Sequence, residues 1–200
     1  MANEKPQVPQ MNGKTDAQPP GLEALMRAAA EGGGQGARPV DKWNPPYCGD
    51  IGMKIRRDGT WLYQGGPIGR IALVKLFASI LRKDDDGRTY LVTPAEKVDV
   101  EVEDAPFLAV EMAVAGEGAK RTITLRTNVD DVVTVDAEHP LRFAPSEPDG
   151  GLKPYVRVRG RLEALCTRAV YAELVELAEA HDDGGDEVGV WSGGKWWGMW

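Results

Sequence analysis

The sequence predicts an α+β protein in which a small hairpin-plus-helix half packs on a seven-stranded antiparallel half capped by a C-terminal helix. Three observations carry that expectation. Apolar positions alternate on both sides of Asp58-Gly59 in "IGMKIRRDGTWLYQGG", and Asp-Gly is a dipeptide favoured in two-residue hairpin turns. Gly66 and Pro67 then precede the almost wholly apolar "IGRIALVKLFASILR", and proline at a first helical position is a start signal. Short β-like runs separated by turn residues fill the middle of the chain, and a long amphipathic segment follows them.

Residues 1–38 are rich in Pro, Gly, Gln and Ala, with too few large apolar side chains to offset the entropy of ordering, and are expected to be a disordered lead. Within them, "GLEALMRAAA" places Leu22, Leu25 and Met26 on one helical face, enough for a short helix that docks transiently. Order is expected from Trp43. Residues 39–86 form the small α+β domain, with the hairpin and a buried helix over about Pro67 to Arg82. Residues 87–200 form the β-rich domain, its seven strands at 90–92, 97–102, 107–115, 120–126, 132–135, 141–144 and 155–158. "DDDGRTY", "GEGAK" and "SEPDGG" supply turns. A helix from Leu162 to about Ala180 then buries Val170, Leu174, Leu177 and Ala178. Seven strands capped by a helix is the order of pleckstrin-homology-like domains, a fold analogy that carries no function. "DGTWLYQGGPI" and "DGGLKPYVRVRGRL" each lead into a helix, which leaves open an internal duplication or shared punctuation by chance.

Composition excludes several functions. No apolar run reaches the roughly 20 residues of a membrane span, and no export or transit pattern opens the chain, so the expectation is a cytoplasmic protein with no membrane partner. A net charge of −7, concentrated in residues 88–151, argues against nucleic acid. The two cysteines, Cys48 and Cys166, and the two histidines, His139 and His181, lack metal-ligand spacing. "KDDDG" reads as a solvated turn rather than a calcium loop. No metal and no cofactor is expected. Catalytic motifs are missing, and Glu103 and Asp104 are adjacent in a strand-like run, which points them to opposite faces.

Candidate binding residues remain. Arg70 shares a helical face with Val74, Phe77 and Leu81, which turns it toward the core, where a guanidinium in the first helical turn needs an anion beside it. Glu96, Glu103 or Asp104 could pair with it. Alternatively Arg70 and the amides of Gly66 to Gly69, with Pro67 among them, could form an anion pocket. "YVRVRGR" sets Arg157 and Arg159 side by side on one strand face, with Arg161 beyond Gly160. Four of the six tryptophans lie in the last eleven residues. That tail is expected to fold back through a Gly193-Gly194 turn and cover apolar surface. Trp191, Trp196 or Trp197 could instead stack on a ligand ring, with Trp61 as a further aromatic wall, or the tail could form a protein-protein patch.

Trp43 to Pro45, Gly65 to Arg70, Thr93 to Glu96, Val102 to Phe107 and Thr127 to Asn128 together resemble, in order, the motifs of the bacterial family of domain of unknown function 1285. Gly66 stands where the family pattern has Ser, which removes a hydroxyl from the helix entry. The resemblance covers about residues 43–200 and implies a two-part fold with duplicated elements and a pleckstrin-homology-like C-terminal half. It also implies a cleft between the halves that holds a nucleotide-like ligand in signalling, and it brings no enzymatic activity. The combined expectation is a non-enzymatic binding or signalling module with a small anion in that cleft and a signalling protein as partner. The alternatives are a protein-interaction module without ligand, and a small enzyme using Glu96 or Asp104 as acid or base.

Overall fold

A computed structural model describes residues 21–31, 38–146, 150–181 and 187–200. The remainder of the expected disordered lead, at 1–20 and 32–37, and the centre of the "SEPDGG" turn lie outside the described residues.

Two six-stranded sheets and a small third sheet make up the body. The first sheet contains β1 (Tyr47–Ile55), β2 (Trp61–Tyr63), β3 (Gly66–Pro67), β4 (Leu81–Lys83), β5 (Thr89–Val92) and β6 (Lys97–Val102), in the order β3-β2-β1-β6-β5-β4. Only β1 and β6 run parallel; every other pair is antiparallel. The second contains β7 (Phe107–Ala115), β8 (Thr122–Thr127), β9 (Val132–Thr134), β10 (Leu141–Ser146), β11 (Gly151–Arg159) and β12 (Leu162–Cys166), in the order β10-β11-β12-β7-β8-β9. Here too a single parallel pair, β7 with β12, joins two antiparallel three-stranded meanders. Both sheets therefore have one topology, in which the first and last strands lie side by side. The two echoing segments of the sequence fall on β2–β3 and β11–β12, which occupy different places in that topology.

The expected seven-stranded, pleckstrin-homology-like half does not emerge. Two of its segments, β5 and β6, pair in the first sheet, and the last strand of the second sheet, β12, comes from residues expected to be helical. The alternation of burial along Leu162–Cys166 is that of a strand. Helix α3 starts only at Arg168–Glu176, after Thr167 accepts a hydrogen bond from the Val170 amide at 3.4 Å.

Helix α2 is likewise shorter than its apolar run, spanning Ile71–Ser79. Gly66-Pro67 forms the edge strand β3, a position where a proline without an amide proton costs nothing. At the other end Ile80 and Leu81 are fully buried, and the chain turns there into β4. Helix α1 (Leu22–Glu31), in the expected lead, packs on α2 with Leu25 and Ala29 buried. Arg38 Nε donates to Ser79 Oγ at 3.0 Å, which ties the returning chain to α2.

One hydrophobic cluster runs through both sheets, from Trp61 and Phe77 to Phe107, Leu125 and Leu174. Polar contacts fasten the halves around it. The Asp58-Gly59 turn of the first hairpin abuts the second sheet, where a Cβ on Gly59 would stand 3.0 Å from both Asn128 Nδ2 and Leu108 Cδ1. Arg159 donates to Asp131 at 2.6 Å and to the Ala78 carbonyl at the end of α2.

The C-terminal residues form β14 (Val188–Ser192) and β15 (Lys195–Gly198), joined at Gly193-Gly194, with β13 (Glu179–Ala180) on the outer side of β14. Ser192 is fully buried, donates to the Val135 carbonyl at 2.7 Å and accepts from the Ile123 amide at 2.9 Å. This hydroxyl pins the hairpin to the second sheet, and Trp197 and Met199 are buried with it. No helix among the described residues is long and apolar enough to cross a membrane.

A candidate binding cleft between the sheets

A cleft of about 580 Å³ opens where the first sheet meets the second. The chain crosses between the sheets at "VEDAPF", and this short link places Asp104 in the cleft wall. Its side chain is only 9% exposed. Lys153 Nζ donates to Oδ2 at 2.8 Å and Tyr155 Oη to Oδ1 at 2.6 Å, while Arg57 Nε lies 3.6 Å away. Burial is the largest single influence on this carboxyl and opposes its ionisation, but the hydrogen bonds from Lys153 and Tyr155 outweigh it and hold its pKa below the usual range. The same surroundings push the Tyr155 hydroxyl up, through burial first and then its bond to Asp104.

Strand register assembles the facing group. Arg142 on β10 stands opposite Tyr155 on β11, and Glu163 on β12 is opposite Arg157. Arg142 reaches across β11 and forms a fork with Glu163, Nε at 2.7 Å and Nη2 at 2.6 Å, with its guanidinium 4.2 Å from the Tyr155 ring centroid. Its Nη1 has no partner among the described residues. From the first sheet come Arg88 and Asp99, 2.6 Å apart. Beyond the exposed Arg161–Asp85 pair a second groove of about 770 Å³ continues along Trp43 and Arg82, and Lys83 and Arg161 line both.

Of the sequence-derived candidates, Asp104 and Arg161 line this cleft. Arg70 is exposed rather than core-facing. The reading that buried it assumed a helix from Pro67, whereas Arg70 is the extended residue just before Ile71, so its side chain falls off the face shared by Val74 and Phe77. Neither Glu96 nor Asp104 pairs with it, and Gly66 and Pro67 are exposed on an edge strand. Glu96 sits in the β5–β6 turn, its pKa raised by burial. Arg157 and Arg159 are not side by side. A register shift between them leaves Arg157 exposed and turns Arg159 inward to Asp131 and over the Phe107 ring. Trp61 is core, stacked on Phe77 at 6.4 Å. Trp191 packs in the tail against His181 and Trp196. Among the described residues no group of three His, Cys, Asp or Glu side chains could hold a metal.

Sequence reasoning missed Arg142, Tyr155, Glu163, Arg88 and Asp99. Arg142 and Glu163 are 21 residues apart and meet only because β11 separates their strands. The alternation of Tyr155 and Arg157 along one strand face was the available signal for Tyr155.

Comparison with known proteins settles the family. Residues 38–105 match the model described as "Domain of unknown function (DUF1285), N-terminal domain", and residues 106–199 match the C-terminal domain of the same family, so the models divide the chain at the crossover that carries Asp104. The chain belongs to the DUF1285 family. A DUF1285 crystal structure from Silicibacter pomeroyi DSS-3 is 45% identical, with a TM-score of 0.81 over 88% of this chain and 93% of its own. Another, from Shewanella baltica OS155, is 29% identical with a TM-score of 0.50, over 63% of this chain and 91% of its own. No curated protein matches the sequence.

Proposed function

We propose that this DUF1285 chain is a non-catalytic binding module whose inter-sheet cleft receives a small ligand through a single acidic group. The observation that carries this reading is the Arg142 guanidinium. Tyr155 and Glu163 fix it in plane, and Nη1 is left to take an anion at a site that needs no reorganisation. The cleft volume suits a small molecule. Five carboxylates and four cations line it, a near balance that favours a monoanion or zwitterion over a nucleotide polyphosphate. Binding rather than turnover is favoured because Asp104, with a depressed pKa and both oxygens engaged, is a poor proton acceptor.

The test is thermal melting of the full chain with a panel of carboxylate, amino-acid and phosphate metabolites. A ligand at about 100 times its dissociation constant adds about 2.7 kcal/mol and moves the midpoint by several degrees. Arg142→Ala should abolish a selective shift and leave the unliganded midpoint within a few degrees. A shift that survives Arg142→Ala places the ligand elsewhere, and silence across the panel returns the function to a protein partner.

A further inference from the structure

We infer that the Arg88 end of the cleft is a subsite for a cationic group, an ammonium or guanidinium, which the protein's own Arg88 now fills. This rests on the binding reading above and supplies the second charge of the ligand.

Tyr47 and Tyr90 meet edge to face, with ring centroids 6.3 Å apart and planes at 82°, and so form a right-angled aromatic corner. Asp99 closes its base: the Tyr47 hydroxyl donates to Oδ2, and the carboxylate side chain is only 13% exposed. Two π-faces over a sequestered carboxylate are the recognition chemistry of an organic cation. The guanidinium of Arg88 occupies the corner, 5.9 Å from the Tyr47 centroid and 5.5 Å from that of Tyr90.

Its hold there is loose. The Arg88 side chain is 56% exposed, which weakens its ion pair through solvent screening. Asp99 Oδ1 is buried and accepts no directed hydrogen bond, even though Arg88 Nη2 is 2.6 Å away. Arg88 is therefore held over the carboxylate by charge alone, without the directed bond that would lock it in place, and a cation needs no donor to compete for Asp99. The backbone of Arg88 is fixed, its amide donating to Asp86 at 2.9 Å and its carbonyl accepting from Asp84 at 3.1 Å, so only the side chain has to swing out. Lys97 cannot take its place, because Asp84 already holds it at 3.0 Å against Tyr90. With Arg88 displaced, Asp99 is left to the incoming cation.

The probe is tetramethylammonium chloride, titrated at constant ionic strength into the full-length chain, with Tyr47 and Tyr90 ring resonances read by NMR. Arg88→Met should bind at least tenfold more tightly than the unmodified chain, and adding Asp99→Asn or Tyr47→Leu should remove that gain. Arg88→Gln serves as a second variant, and native amide dispersion confirms folding. If removing Arg88 brings no gain, or if the gain survives Asp99→Asn, the subsite does not exist. Arg142→Ala separates the two readings: it should leave the tetramethylammonium response intact while eliminating that to acidic ligands. A tetramethylammonium response without any acid response upholds the cation subsite and overturns the Arg142 reading. The reverse pattern overturns the subsite alone.

Discussion

Asp104 joins the crossover between the sheets to β11 through Lys153 and Tyr155, so its ionisation is coupled to folding. Its pKa is lowered in the folded state from an unfolded value of about 3.9. The stability it contributes is therefore present above pH ~4 and is lost as pH falls through the folded pKa. Asp104→Asn should cost about 1–3 kcal/mol at neutral pH, since Lys153 loses its charged partner. The gap between variant and parent should close below pH ~4. Urea midpoints measured from pH 3 to 7 check this, and a gap that does not change with pH would show that the charge of Asp104 is not what matters.

At the scale of elements, the C-terminal hairpin shows how tightly an aromatic-rich tail can be specified. A Cβ on Gly189 would collide with the Trp197 carbonyl and lie 2.9 Å from the Trp196 ring, so Gly189→Ala should destabilise by about 1–3 kcal/mol. Circular dichroism melting should register a fall of several degrees. This element was legible in the sequence because Gly193-Gly194 between tryptophan-bearing runs is local turn chemistry. The Asp58-Gly59 hairpin was legible for the same reason. The ends of α2 were not: Ile80 and Leu81 are as apolar as the helix before them, and only pairing with β5 makes Leu81 strand. Leu162–Cys166 misled similarly, since alternation over five residues was overridden by the helical pattern after Thr167. The same division applies to the cleft. Asp104 stood out in a local motif, whereas Arg142–Glu163 and Arg88–Asp99 depend on strand order, which no local pattern encodes.

For the molecule as a whole, the continuous core and the Arg159 bridge imply that the halves unfold together. Tryptophan emission weighted to the first half, as in a Trp61-only variant, and to the second half, as in a Trp197-only variant, should give coincident urea transitions. Separated midpoints would show two independent folding units despite the shared core. The parallel pairs β1–β6 and β7–β12 carry a further consequence, for the order of events during synthesis. Strand β1 emerges from the ribosome some forty residues before its parallel partner at Lys97–Val102, and until then its inner edge has open amides and carbonyls. A chain halted in that interval would present a long strand edge to its neighbours, and each sheet can close only when its last strand arrives.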